Sequence, residues 1–423
     1  MISLHHFYPT NGVRPSITLA LGILIATVGF GGERLKTDDL DVVIVSPLCA
    51  ATQSWNQNSD FWLSFPDRGS APCGCDPLAW GQIAAYHGLV TKRPSEGWSP
   101  KVVTETIYYG TQAPSGAIER STSGQAYDWA NVKEKGDDAR RLVTDLGVVG
   151  RSLYTSTATM GTVSNIRFAE YFDYAGGGEG CRFGKPVCPS SPTGLQEDWP
   201  QMAEGLLRGS LHGGAPLVVM INTSGGGHAI ICDGYGYKGS KAYFHLHYGW
   251  GAGTQFWVPI DFFTLMNNGD DAFMLFYANV HPDGLGCVLA GRVTRGGKGV
   301  SNERVVLSGG ASAVTDENGA YWFTGLPENT EYTLSVGTES RSVKTGSFFC
   351  DDDEEELDDN YLKDQGITYV NRTSGNVIAD IELPENFTPI GTGSYKFISK
   401  GGTDIVLEPN SRWYDGTVSE RKI

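Results

Sequence analysis

The hydrophobic pattern of this chain changes period twice, and those changes confine it to a small set of architectures. Between Leu78 and Leu211 the apolar residues recur at helical spacing in four stretches: Leu78–His87, Asp138–Leu146, Ser164–Tyr171 and Trp199–Leu211. The first follows Asp76-Pro77, a helix-start pair with Asp as the expected cap, and the second stops at Gly147. From Pro216 the pattern turns to strands, in Pro216–Ile221, His228–Asp233, Ala242–Tyr248, Gln255–Pro259 and Ala272–Val280. Helices first and an antiparallel sheet afterwards predict an α+β domain. Past Gly286 the texture shortens into alternating runs, Val288–Thr294, Arg304–Ser308, Ala320–Thr324 and Tyr332–Val336, with Ile378–Leu383 as a closing strand. Turn signals separate them, among them Asp316–Gly319, expected to be a hairpin turn because Asn and Gly accept positive φ. That spacing predicts an all-β sandwich.

With 423 residues the chain is too long for one ordinary domain. Ile17–Gly31 is an apolar run preceded by Arg14, shorter than the roughly 20 residues of a membrane span and suited to a signal-peptide core. The expected organisation is a signal peptide or uncleaved N-terminal anchor over 1–32 and a short connector over 33–45. The α+β domain follows over 46–284, the β-sandwich over 285–385 and a tail element over 386–423. Either reading of the N-terminus exports the rest of the chain.

The net charge of −16 excludes a nucleic-acid partner, because phosphate binding needs clustered Lys and Arg and no basic stripe is present. Aromatics at 11 % with charged residues at only 19 % exclude disorder and suit β-rich extracellular domains. Eight cysteines are compatible with an oxidising compartment, and Cys181 with Cys188 is the first pairing to expect. The acidic block Asp351–Asn360 reads as a solvated loop, since it lacks the EF-hand spacing of a calcium site.

Two segments carry chemistry. Gly74-Cys75-Asp76-Pro77 puts a thiol at the mouth of a helix, where the dipole favours thiolate, although the neighbouring Asp76 carboxylate opposes it. Gly227-His228-Ala229 puts an imidazole where a glycine loop enters an apolar strand. A thiol and an imidazole brought together form a nucleophile and its base. The competing reading makes Cys73 and Cys75 structural or metal-binding thiols, but no second Cys/His pair at ligand spacing accompanies them, so neither metal nor cofactor is expected. His245 and His247 are rivals to His228. His87 stands at the far end of the cysteine helix, about 18 Å away.

Several motifs together resemble the streptopain family of papain-like cysteine peptidases. They are Gly74-Cys75…Ala79…Gln82-Ile83…Tyr86-His87, Gly227-His228-Ala229…Asp233-Gly234, and Phe244–Gly251 with its aromatic-glycine pattern. Pro47-Leu48…Trp55-Asn56-Gln57, Tyr127-Asp128-Trp129 and Asp145–Val148 extend the resemblance over Pro47 to Val280 in the right order. It implies a papain-like fold, Cys75 as nucleophile, His228 as base and Gln57 as the oxyanion-hole donor, acting on a protein or peptide substrate. The family carries Asn-Trp where this chain has His247-Tyr248, which makes His247 a candidate orienting residue for His228 and Tyr248 a candidate shield. The resemblance also implies an inhibitory propeptide, which the stretch between Gly31 and Ser46 is too short to supply, so either control of activity differs or the sequence is incomplete.

Gly291–Thr294…Thr315–Phe323…Leu326-Pro327…Tyr332–Leu334 is similar to carboxypeptidase-regulatory-like domains and to collagen-adhesin B-type repeats. Such modules are spacers or carbohydrate- or protein-facing appendages. The reading is therefore a secreted, bacterial-type cysteine endopeptidase with a β-sandwich appendage. Its alternatives are a catalytically silent papain-like domain in a binding or adhesion protein, and thiol chemistry turned to amide hydrolysis or acyl transfer.

Overall fold

The structure, a computed structural model, describes residues 34–65, 69–110, 116–161, 163, 165–175, 179–184, 199–223, 226–260, 273–346, 375–384, 395–398 and 404–407. The expected export segment, the Cys181–Cys188 pairing, the acidic run and most of the tail element lie outside them. The described residues divide into two compact units: 34–289 with 324–330, 345–346 and 375–378, and 290–323 with 331–344 and 379 onward.

The first unit is α+β. Its main sheet runs in the order β12 (Gln255–Pro259), β11 (Lys241–His247), β10 (Gly226–Lys238), β9 (Leu217–Thr223), β13 (Phe273–Ala278) and β8 (Glu179–Gly184), and every pairing along it is antiparallel. The core of β10, Ala229-Ile230-Ile231-Cys232, is buried, which explains why its sequence is a continuous apolar run instead of an alternating one. Helix α1 (Cys75–Tyr86) is buried along its whole length after Cys75. A helix apolar on all sides belongs inside a domain, and α1 accordingly joins the largest core cluster through Leu78, Trp80 and Ile83. Around it pack α2 (Trp129–Lys133), α3 (Asp137–Val149) and α4 (Asn165–Phe172), with α5 (Trp199–His212) against the sheet.

The stretch 33–45 is not a connector. Strand β1 (Val42–Val45) pairs antiparallel with β10, and Leu35 bridges to Trp257. Its apolar residues, Val42, Val43, Ile44 and Val45, have a sheet to pack on, and a linker would leave them in water. Two further elements escaped the periodicity: the hairpin β2 (Trp62–Phe65) with β3 (Gly69–Pro72), and a small sheet of β4 (Thr104–Gly110), β5 (Gly116–Ser121), β6 (Leu153–Thr155) and β7 (Thr159–Met160). The hairpin runs directly into α1, so β3 delivers the chain to Cys75.

The second unit is built of strands. One antiparallel sheet has the order β17 (Ser312–Val314), β16 (Arg304–Leu307), β19 (Glu331–Val336), β20 (Glu339–Lys344). A second is organised on β14 (Cys287–Arg295), with β15 (Lys298–Gly299) and β18 (Ala320–Leu326) beside it and β22 (Ile381–Glu382) running parallel to it. Asp316–Gly319 forms a tight turn in which Oδ1 of Asp316 accepts the N–H groups of Asn318 and Ala320, each at 2.8 Å. The expectation of a hairpin is corrected here, because the turn links β17 to β18, strands of two different sheets.

Candidate active site

Helix α1 begins at Cys75 itself. Its N-cap is Gly74, at φ 91° and ψ 162°, a conformation L side chains rarely adopt. The cap expected at Asp76 is not found. Asp76 is the second helical residue, only 2 % exposed, and its Oδ2 accepts the N–H of Val163 at 2.6 Å. Burial pushes its pKa up to about 8, against which the Val163 bond acts, so Asp76 is a neutral acid at neutral pH. Where Asp76 ionises, its charge opposes a Cys75 thiolate, as expected from the sequence.

Strand β10 reaches past its neighbour. β11 pairs with it only from Ile231 onward, so among the described residues no strand pairs with 226–230 on that side, which is a free edge. The N-terminus of α1 lies there. The main-chain N–H of Ala229 acts on the Cys75 sulfur, as do those of Cys75 and Asp76, all favouring thiolate. Burial dominates and pushes the thiol up to about 11. Cys73, two residues earlier, is fully buried, with its S–H directed at the carbonyls of Gly74 (3.4 Å) and Gln57 (3.8 Å). Of the two thiols only Cys75 retains partial exposure.

His228 precedes Ala229 on the same free edge. Its Nε2 donates to the carbonyl oxygen of Tyr248 at 3.0 Å, which leaves Nδ1 as the nitrogen able to exchange a proton. Burial pulls the imidazole down to about 4, against the raising effect of the Tyr248 bond. One face of the ring is covered by Trp250, whose centroid lies 4.6 Å away at an interplanar angle of 16°. Tyr248, the expected shield, stands farther off at 6.2 Å. Trp250 lies inside the aromatic-glycine motif, yet nothing in the sequence singled it out as the stacking partner.

His247, the candidate orienting residue, has both ring nitrogens engaged away from His228. Alternation along β11 turns His247 away from His228, and its Nδ1 meets Nε2 of Gln82 at 3.1 Å while its Nε2 donates to the carbonyl of Gln53 at 2.6 Å. Among the rivals, His245 is committed to Asp233 at 2.5 Å, and His87 donates to the Val280 carbonyl at 3.1 Å beyond the far end of α1.

Gln57 is held by its backbone. Its N–H donates to Gly249 at 2.9 Å, and its carbonyl accepts the Cys73 thiol. Its side-chain Oε1 is buried without a hydrogen-bond partner. Gly249, at φ +72°, makes room: a Cβ there meets Leu78 of α1 at 2.9 Å and Gln57 Oε1 at 3.9 Å. Gln57 Oε1 and Leu78, in the first turn of the cysteine helix, thus both lie within 4 Å of that position. Among the described residues no cluster of His, Cys, Asp and Glu has the grouping of a metal site.

A thiol at a helix N-terminus beside a strand that carries a histidine is an arrangement that cysteine peptidases use. Residues 55–257 match the model of the peptidase C10 family, the streptopain family. That family is one of cysteine peptidases, which act on protein or peptide substrates. No curated protein matches the chain.

Proposed function

We propose that the first unit is a papain-like cysteine endopeptidase in which Cys75 is the nucleophile, His228 the general base and acid, and Gln57 an oxyanion donor. The observation that carries this reading is the free edge of β10, where the Cys75 sulfur meets the Ala229 N–H and His228 stands one residue away. Nδ1 of His228 takes the thiol proton and the sulfur attacks the scissile carbonyl carbon. The resulting oxyanion is received by the N–H of Cys75 and the amide of Gln57. The same Nδ1–H then protonates the departing amine, and water hydrolyses the thioester with His228 as base.

The apolar run Ile17–Gly31 supports export, to the cell surface or beyond, through a signal peptide or anchor. The strand-rich second unit supports the sandwich reading, with protein or carbohydrate contact as its role. A catalytically silent first unit is the competing reading, favoured by one observation: burial holds both Cys75 and His228 in their neutral forms.

Labelling with an epoxide or iodoacetamide probe, alongside casein hydrolysis, separates the two. Wild type and Cys73→Ala are expected to label at Cys75 and to cleave casein, and Cys75→Ala to do neither. Labelling at Cys75 no faster than at an ordinary thiol, with casein intact, removes the peptidase reading.

A further inference from the structure

His247 occupies the place from which the catalytic histidine was expected to be oriented, yet its ring is spent on a different partner. The segment Thr52–Gln57 carries the oxyanion amide and has no long regular element of its own, only the short 3₁₀ turn Ala50–Thr52. It is held instead by donors from separate parts of the first unit. Nε2 of Gln82, on the cysteine helix, donates to the Thr52 carbonyl at 2.9 Å. Nε2 of His247, on β11, donates to the Gln53 carbonyl at 2.6 Å. Lys135 takes the Ser54 carbonyl at 2.7 Å, and the N–H of Gly251 takes that of Trp55 at 2.9 Å.

Two of these donors are joined to each other. Nδ1 of His247 accepts from Nε2 of Gln82 at 3.1 Å, so one imidazole bridges the cysteine helix and the Gln57 segment. With Nε2 donating and Nδ1 accepting, both ring nitrogens are satisfied only in the neutral Nε2–H tautomer. His247 and Gln82 are each 2 % exposed or less, and the bond between them is buried, whereas the bond to the exposed Gln53 is only partly so. The next residue after His247 supplies the carbonyl that fixes His228.

We infer that His247 is a positioning residue: through Gln82 and the Gln53 carbonyl it sets the placement of Gln57 relative to Cys75. The inference rests on the proposed role of Gln57 as oxyanion donor. A group that acts through the oxyanion hole affects bond cleavage at a carbonyl and leaves simple alkylation of the thiol untouched, since alkylation develops no oxyanion. That difference is the signature to measure.

The experiment uses the full chain and compares His247→Ala, His247→Gln, Gln82→Met and Gln57→Ala below their melting temperatures. Each is assayed for hydrolysis of a fluorogenic peptide and for the iodoacetamide labelling rate of Cys75. His247→Ala is expected to lower kcat by roughly 10- to 100-fold, the scale of a small misplacement at a reacting centre, with KM and the labelling rate held within about twofold. His247→Gln is expected to restore much of the loss, because its amide can both donate to Gln53 and accept from Gln82. Gln57→Ala is expected to match His247→Ala, and the double variant to be no worse than either. Hydrolysis and labelling falling together in His247→Ala, or neither falling, overturns the inference. Should His247→Ala fail to fold, Gln82→Met carries the same comparison. An impaired Gln57→Ala beside an unimpaired His247→Ala sinks this inference alone. An unimpaired Gln57→Ala sinks the oxyanion role and this inference with it.

Discussion

The Nε2 of His228 donates to the main-chain carbonyl of Tyr248 at 3.0 Å, so a backbone atom fixes this imidazole. The consequence concerns the residues that depart from the family pattern. A carbonyl is present whatever side chain follows it, so His247 and Tyr248 leave the hold on His228 intact. The side chain that does touch the ring face is Trp250. Replacing it tests how much the stack contributes. Trp250→Ala is expected to lower kcat/KM about 2- to 10-fold, the equivalent of the roughly 0.5–1.5 kcal/mol of an aromatic pair. Trp250→Phe is expected to retain most activity. Steady-state hydrolysis of a peptide substrate decides it, and an unchanged Trp250→Ala would remove the stack from the account.

The acid–base behaviour of Cys75 and His228 follows from their burial. His228 is pulled from 6.5 down to about 4, and Cys75 is pushed from 9.0 up to about 11. Between those limits the pair holds one exchangeable proton, whichever of the two atoms carries it. The labelling rate of Cys75 is therefore expected to show a broad plateau, falling on the acid side with an apparent pKa near 4. Opening the His228 ring to water in Trp250→Ala relieves desolvation and is expected to move that limb upward, toward 6.5. A wild-type limb already at 6.5 contradicts the buried, neutral histidine.

Asp76 gives a stability effect of a definite sign. Its folded pKa, about 8, lies above the ordinary 3.8, so the folded state holds a proton that the unfolded state releases between those values. Stability from this group is fully present below 3.8 and is lost as pH rises toward 8, by up to about 1.4 kcal/mol per pH unit. Buried His87 and His228 act oppositely, costing stability as pH falls below 6.5. Asp76→Asn keeps the shape and the acceptor for Val163 while removing the titration. Denaturant unfolding at pH 4 and pH 8 is expected to show little change at the first and a clear gain for Asn at the second. Equal curves at both pH values would mean Asp76 is ionised in the fold.

Much of this was legible in the sequence, and the parts that were not have physical reasons. The predicted helices Asp138–Leu146 and Trp199–Leu211 fall within α3 and α5, because one-sided burial writes itself as a 3.6-residue period. Cys75 and His228 were legible as local motifs, each tied to one turn of chain. The Gln53–His247–Gln82 bridge was not, since its three members come from a loop, a strand and a helix far apart in sequence. The hold on His228 was invisible for another reason: a carbonyl has no letter. β1 was read as a connector because four apolar residues beside charged ones carry no clear period.

The domain boundary expected at 284 meets a contradiction within the first unit. Asn376, from far along the chain, is buried and exchanges two 2.9 Å hydrogen bonds with Asn279, and its Oδ1 also accepts the N–H of Val288 at 3.0 Å. Gly209 on α5 admits it, since a Cβ there lies 2.8 Å from Asn376 Cβ. Asn376→Ala leaves the Asn279 amide and the Val288 N–H buried without these bonds, at an expected cost of about 2–3 kcal/mol in urea unfolding. A chain ended at 284 is expected to unfold at lower temperature than the full chain. Identical melting of the two would show Asn376 to be dispensable.

The tightest sequence requirement next to Cys75 falls on Gly74. Its φ of 91° lies where an L side chain is strained, and a Cβ would stand 2.9 Å from both Cβ and Cγ2 of Thr159. Thr159 cannot retreat easily, because its hydroxyl is bonded to the carbonyl of Pro72, in the strand that feeds the helix. Gly74→Ala therefore meets two separate penalties, backbone strain of about 1–3 kcal/mol and a steric conflict. Thr159→Gly relieves the second and leaves the first. Gly74→Ala is expected to lower both thermal stability and the labelling rate of Cys75, and the double variant to recover part of the stability but little of the labelling. The reason is that the strained residue sets the direction in which Cys75 leaves the strand. Recovery of the full labelling rate in the double variant would assign the whole effect to the clash with Thr159.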